Sequence, residues 1–164
     1  KEVQKVNNLH IVASLSKFFA LPGMRLGVII SNRDTIASYI ETVHVPYSIH
    51  PLSCTAFEPL LRDKEFTKES QEFYAVERKI FYKKVKEKLK GRLAVLAPDG
   101  NFIFGRILTG QESSDVVRSL SKKGILIRGG DELSDVSENW IRFSIRSKKG
   151  NAALLKTLDE VLER

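Results

Sequence analysis

One amphipathic segment, residues 67–89, constrains this chain more than any other stretch. Phe73, Val76, Ile80, Val85 and Leu89 recur at helical spacings with charged residues between them. Gly91 supplies the stop. The spacing predicts one long helix that connects an N-terminal part of the chain to a C-terminal part. After it, strands are predicted over residues 92–96 and 102–108, joined by the turn Pro98-Asp99-Gly100-Asn101. A helix over 116–122 closed by Gly124, strands over 125–127 and 140–145, and a helix over 152–162 complete that part. Before the long helix, apolar runs at 9–13 and 26–30 predict two strands. Helices are predicted over 35–43, started by Asn32 and Asp34, and over 52–61, after the break between Pro46 and Pro51.

The fold class is therefore α/β throughout, with a boundary that separates residues 1–62 from residues 63–164. The second part is an α+β unit of ordinary domain size. The first part holds only two strands, too few for a stable sheet alone. It begins with Lys1 rather than methionine, and residues 1–8 read as the end of a helix turning into a strand. Residues 1–62 are thus expected to be the remnant of a larger domain, and the chain a piece of a longer one.

Composition narrows the classes. A hydrophobic fraction of 42% beside 29% charged residues suits a globular domain. No apolar run approaches the roughly 18–20 residues a membrane helix needs, and no signal segment opens the chain. A cytoplasmic location and no membrane partner are the expectation. Cys54 is the only cysteine, so no internal disulfide or thiolate cluster can form. His10, His44 and His50 lack metal-ligand spacing. The net charge of +7 fits a solvated surface, an anionic small ligand or nucleic acid.

The stretch with most chemistry is Ser14-Leu15-Ser16-Lys17-Phe18-Phe19-Ala20-Leu21-Pro22-Gly23-Met24-Arg25-Leu26-Gly27. A strand ends, two hydroxyls and a lysine come next, and an arginine flanked by glycines stands eight positions after the lysine. Hydroxyls, a guanidinium and backbone amides are what an anchored phosphate requires. A lysine among Phe18, Phe19 and Leu21 is expected to be partly desolvated, which makes an amine a better nucleophile. A surface lysine following a strand fits the same residues.

Ser14-x-Ser16-Lys17 followed by Gly23-x-Arg25-x-Gly27 resembles the cofactor-lysine motif of the fold-type I, class I/II aminotransferases, which depend on pyridoxal phosphate. It is most similar to the branch of histidinol-phosphate aminotransferase and threonine-phosphate decarboxylase. The resemblance implies that Lys17 bonds the cofactor and that Ser14, Ser16 and Arg25 bind its phosphate. It extends to the end of the chain. Pro46-Tyr47-Ser48-Ile49-His50 resembles a proline-aromatic segment in which asparagine is usual where His50 stands, and His50 is expected to be a partly buried polar residue. Asn101-Phe102 precedes a strand as in the family. Trp140-Ile141-Arg142-Phe143-Ser144-Ile145 resembles the segment with the substrate-carboxylate arginine, which becomes Arg142, and Arg128 is a second candidate ligand for a substrate phosphate or carboxylate.

Strand alternation agrees: Ile141, Phe143 and Ile145 share one face and Arg142, Ser144 and Arg146 the other. An exposed strand face with two charges has the same pattern. Phe18-Phe19-Ala20-Leu21-Pro22-Gly23 and Ser144-Ile145-Arg146 lean toward the decarboxylase side.

The resemblance implies a remnant of the large cofactor-binding domain followed by a small α+β domain, amino-acid and 2-oxo-acid substrates, and a homodimer when intact. The family's ring-nitrogen aspartate, its stacking aromatic and its glycine-rich helix start lie upstream of this stretch. The 164-residue chain alone is accordingly expected to be inactive. A different class is a nucleic-acid-binding or interaction domain. The basic run Arg78, Lys79, Lys83, Lys84, Lys86, Lys88, Lys90 and Arg92 is its only support, its field broken by Glu77 and Glu87 and without a recognisable motif.

Overall fold

A computed structural model describes residues 2–6, 8–32, 34–132 and 137–162. The chain divides into two compact units, residues 1–66 and 67–164.

In the first unit, β1 (Ile11–Ser14) and β2 (Gly27–Ile30) pair antiparallel from Ile11 opposite Ile30 to Ser14 opposite Gly27. The strands approach closely at the end of the ladder, where a Cβ on Gly27 would lie 3.1 Å from the Ala13 carbonyl oxygen. Residues 14–27 are not a plain loop. The chain turns into a short helix α1 (Leu15–Phe18) and then a 3-10 turn, Pro22–Met24. The Leu15 amide donates to Leu26 O, and the Leu21 amide to Ser16 O, so the connection is pinned at both ends.

Two helices come next, α2 (Asp34–Val43) and α3 (Pro51–Arg62). His50 is exposed rather than partly buried. Its Nδ1 accepts from the Leu52 amide at 3.2 Å and so caps α3, with Pro51 at the first helical position, where no amide partner is needed. Phe57 of α3 is buried. Phe19 packs edge-on against it at 5.8 Å and stacks on Phe66 at 5.9 Å.

The second unit is built on α4 (Lys64–Lys88), which starts in the first. Its buried side is Glu77, Phe81 and Val85, continued by Leu89. Phe73, Val76 and Ile80 are exposed. The predicted stripe merges two faces: at 3.6 residues per turn, 73, 76 and 80 lie roughly a third of a turn from 77, 81 and 85.

Strands β3 (Leu93–Val95), β4 (Phe102–Ile107), β5 (Arg128–Gly129) and β6 (Trp140–Ser144) form an antiparallel sheet in the order β3-β4-β6-β5. Ile103, Ile107, Ile141 and Phe143 turn inward against α4, α5 (Ser113–Ser121) and α6 (Lys148–Leu162), joining Phe81, Val116, Leu120 and Leu158 in one core.

The strand expected at 125–127 is absent. The Ile125 amide closes the end of α5 by donating to Leu120 O at 3.0 Å, and pairing starts only at Arg128, opposite Arg142.

Asp159 of α6 ties the two long helices together. It accepts from Lys88 Nζ at 2.7 Å and Arg92 Nη2 at 2.5 Å. These contacts, that with Lys88 foremost, hold its carboxyl below the ordinary carboxylate range. A depressed acid stabilises the fold above its unfolded pKa, and that contribution is lost as pH falls through the folded one. Asp159→Asn is therefore expected to lower the melting temperature at neutral pH. Its melting curve should converge with that of the parent chain in acid below the ordinary carboxylate range. Equal shifts at both pH values would refute the assignment.

Candidate functional site

Four of the sequence-derived candidates lie at one end of the β1–β2 hairpin. Ser14 is the last residue of β1, and Gly27, its register partner, is two residues past Arg25. The Ser14 and Ser16 hydroxyls are 3.0 Å apart, and Ser16 is buried.

Lys17 sits in the last turn of α1 and is exposed. The shielding expected from the neighbouring phenylalanines is not supplied by them. Phe18 packs edge-on to Phe19 and Phe66, and Phe19 turns to Phe57 and Phe66. The aromatic run thus anchors the hairpin connection, while the lysine beside it stays open to solvent.

Arg25 has φ +49, a left-handed conformation that costs a non-glycine residue on the order of 1–3 kcal/mol. Its Nη1 donates to Pro22 O at 2.8 Å. One of five guanidinium donors is spent on fixing the turn. Ser53 of α3, itself buried, donates to Met24 O at 2.8 Å and holds the same turn from the other side. A strained backbone is thus held in this turn by two side-chain bonds.

The remaining candidates share the sheet face of the second unit that faces away from its helices. Arg128 and Arg142 are register partners on β5 and β6. Two guanidinium groups directly opposite repel each other. Each has a local counterweight: Glu132 Oε2 lies 3.8 Å from Arg128 Nε, and the Phe102 ring lies 5.2 Å from Arg142 Cζ. Both arginines, with Ser144 and Arg146, line a cavity of about 710 Å³ at the sheet edge that α5 and α6 also wall, through Val117, Ser121, Ala153 and Leu154. Paired arginines beside hydroxyls suit a carboxylate or phosphate.

The end of β6 is fixed from behind. Asn151 of α6 accepts from the Arg146 amide through Oδ1 at 2.8 Å and donates to Arg146 O through Nδ2 at 2.9 Å. It also donates to Glu77 Oε1 at 2.8 Å, and both side chains are buried.

Sequence reasoning missed Glu77, Asn151 and the aromatic neighbours of Arg142. Glu77 sits one residue beyond an apolar position of the predicted stripe, and nothing in the sequence marks it as buried. For Phe102 the alternation of β4 is a usable signal, since it places Phe102, Phe104 and Arg106 on the face opposite Ile103 and Ile107.

The family described as aminotransferase class I and II matches residues 1–158. A histidinol-phosphate aminotransferase 2 of Archaeoglobus fulgidus is 31% identical over 160 residues, 97% of this chain and 44% of that protein. The crystal structure of the histidinol-phosphate aminotransferase from Clostridium acetobutylicum superposes with a TM-score of 0.89 at 29% identity, over 99% of this chain and 48% of that one. The L-threonine-O-3-phosphate decarboxylase from Porphyromonas gingivalis superposes with a TM-score of 0.82 at 22% identity, over 99% of this chain and 49% of that one, a likeness of fold. The chain spans under half the length of the relatives it matches.

Proposed function

We propose a function from the premise that this chain belongs to the aminotransferase class I and II family: in the complete protein it is part of a pyridoxal-phosphate enzyme that moves an amino group from an amino acid to a 2-oxo acid. The single observation that carries this reading is the hairpin end, where Ser14, Ser16, Lys17 and Arg25 gather hydroxyls, an amine and a guanidinium around one pinned turn.

That donor set fits the cofactor. Hydroxyls and a guanidinium match a phosphate, and an exposed primary amine matches a carbonyl. In this reading Ser14, Ser16 and Arg25 hold the phosphate and Lys17 Nζ holds the carbonyl carbon. The bound group supplies an electron-withdrawing ring that accepts charge when a bond to the substrate α-carbon breaks.

The residues of this chain do the rest. Lys17, as a free amine, would take the α-proton on Nζ and return it elsewhere, as general base and then acid. The strained Arg25 turn keeps the phosphate donors in place while the lysine moves. Arg142, and Arg128 beside it, bind the substrate's carboxylate or phosphate with a planar fork. Residues 1–62 are read as part of the large cofactor-binding domain and residues 63–164 as the small domain, a division four residues before the boundary between the two compact units. A homodimer in the cytoplasm is the assembly and place this reading expects.

The substrate class includes phosphorylated amino compounds such as histidinol phosphate, from the names of the relatives and the two arginines in one cavity. A second reading, decarboxylation of a phosphorylated amino acid, is favoured by Arg146, which lines that cavity with Arg128 and Arg142. The test is to load the complete protein with pyridoxal phosphate and offer histidinol phosphate with 2-oxoglutarate, and threonine phosphate alone. Glutamate formation is expected. Carbon dioxide release without amino transfer selects the second reading, and neither product sinks both.

A further inference from the structure

The aromatic side chains around Arg142 form a pattern that the carboxylate assignment alone does not use. On the outer face of the sheet, Phe104 is the register partner of Arg142, and Phe102 is the partner of Ser144. The contacts run diagonally instead. Phe104 stacks on Trp140, with centroids 4.6 Å apart and planes at 19°. Phe102 takes the guanidinium of Arg142 at 5.2 Å. Each β4 ring thus covers the β6 side chain one diagonal step away, a geometry within reach of aromatic and long side chains.

The consequence for Arg142 is directional. The stacked pair Phe104–Trp140 fills the face on one side of it, so the arginine stem leans toward Phe102. On the β5 side stands the like charge of Arg128. Arg128 has Glu132 near it, and no carboxylate lies within ion-pair distance of Arg142 among the described residues. The Arg142 cation has instead the negative face of the Phe102 ring as its neighbour. A carboxylate there would orient the fork by neutralising it and would compete with the substrate. A ring orients it and leaves its edge donors open.

We propose that Phe102 is a positioning residue. It holds the Arg142 guanidinium over its ring, so that the N–H donors are left for an incoming carboxylate without being spent on a protein anion. Together with the backbone clamp of Asn151 on Arg146, two residues past the end of β6, the ring makes the fork preorganised. This rests on the reading of Arg142 as the carboxylate ligand. It adds what keeps that ligand aimed, and it assigns a task to the aromatic residue after Asn101. Phe102 is 40% exposed, as a residue that lends a face to a neighbour, and not its bulk to a core, should be.

Two measurements test it. In the 164-residue chain, the side-chain Nε–Hε resonance of Arg142 should carry an upfield ring-current shift and an ordered heteronuclear relaxation signature. Both should disappear in Phe102→Leu and survive in Phe102→Tyr. In the complete, cofactor-loaded protein, Phe102→Leu should raise KM for glutamate by about three- to tenfold while changing kcat by less than about twofold, and Phe102→Tyr should restore KM.

An unshifted, mobile Arg142 resonance in the parent chain overturns the proposal without any variant, whatever Phe102→Leu does to folding. So does a Phe102→Leu variant whose KM equals that of the parent while Arg142→Ala raises it. An Arg142→Ala variant with unchanged KM overturns instead the carboxylate reading beneath.

Discussion

Lys17→Ala in the complete, cofactor-loaded protein is expected to abolish amino transfer, with a loss of about a thousandfold or more in kcat. Two functions leave with one amine. On the proposed reading the covalent tether disappears, and so does the proton carrier, whose contribution alone is typically about 10²–10⁴-fold. Lys17→Arg should be equally dead, because a guanidinium keeps the charge but is neither nucleophile nor base near neutral pH.

Fold and chemistry separate cleanly at this position. Lys17 is exposed in the last turn of α1. An exposed substitution away from packed contacts changes stability by about 0.5 kcal/mol or less, so the melting temperature of Lys17→Ala should match the parent when both are free of cofactor. Borohydride reduction of the loaded parent, followed by peptide mapping, should leave a phosphopyridoxyl group on Lys17. The same group on another lysine, or turnover retained by Lys17→Ala, would refute the assignment.

The parts of the fold that sequence made legible are those governed by local chemistry. The hairpin strands and the pair β4 and β6 come from short apolar runs and alternation. The turn between β3 and β4 comes from Pro98-Asp99-Gly100-Asn101. The helix over Asp34–Val43 starts where Asn32 and Asp34 offer start chemistry. The failures depend on partners distant in sequence. The face of α4 that becomes buried is chosen by the sheet and by α6, so Glu77 goes inside with Asn151 as its partner, while the more apolar Val76 stays out.

Residues 125–127 carry strand-forming side chains, yet their first amide is taken by the end of α5. At the hairpin, the grouping of Ser14, Ser16, Lys17 and Arg25 on one short connection was readable from the sequence. The left-handed backbone at Arg25 and the packing of Phe19 on Phe57 and Phe66 were not, since both come from closing the turn onto α3 and Phe66. A motif therefore reported which groups assemble, and packing decided which of them meet solvent.

Arg142→Ala is expected to reduce kcat/KM for glutamate by at least tenfold, with most of the loss in KM. Arg142 lies on β6 between Ile141 and Phe143, two core residues that fix the backbone beneath it, so removing its side chain leaves the sheet intact. Its fork can give a carboxylate two parallel charge-assisted hydrogen bonds, each worth about 1.5–3 kcal/mol. Losing one such bond already corresponds to more than about tenfold in an equilibrium constant.

Arg128, its register partner, sets the lower bound. A second guanidinium on the neighbouring strand recaptures part of the lost attraction, so Arg142→Ala should fall short of the full two-bond loss, and the double replacement with Arg128→Ala should exceed it. Arg142→Lys discriminates charge from geometry: an ammonium keeps the charge but not the planar edge, and it should recover only part of the affinity. Full recovery by lysine would mean that the face binds through net charge alone. Parent-like kinetics in Arg142→Ala would mean that the substrate carboxylate is bound elsewhere.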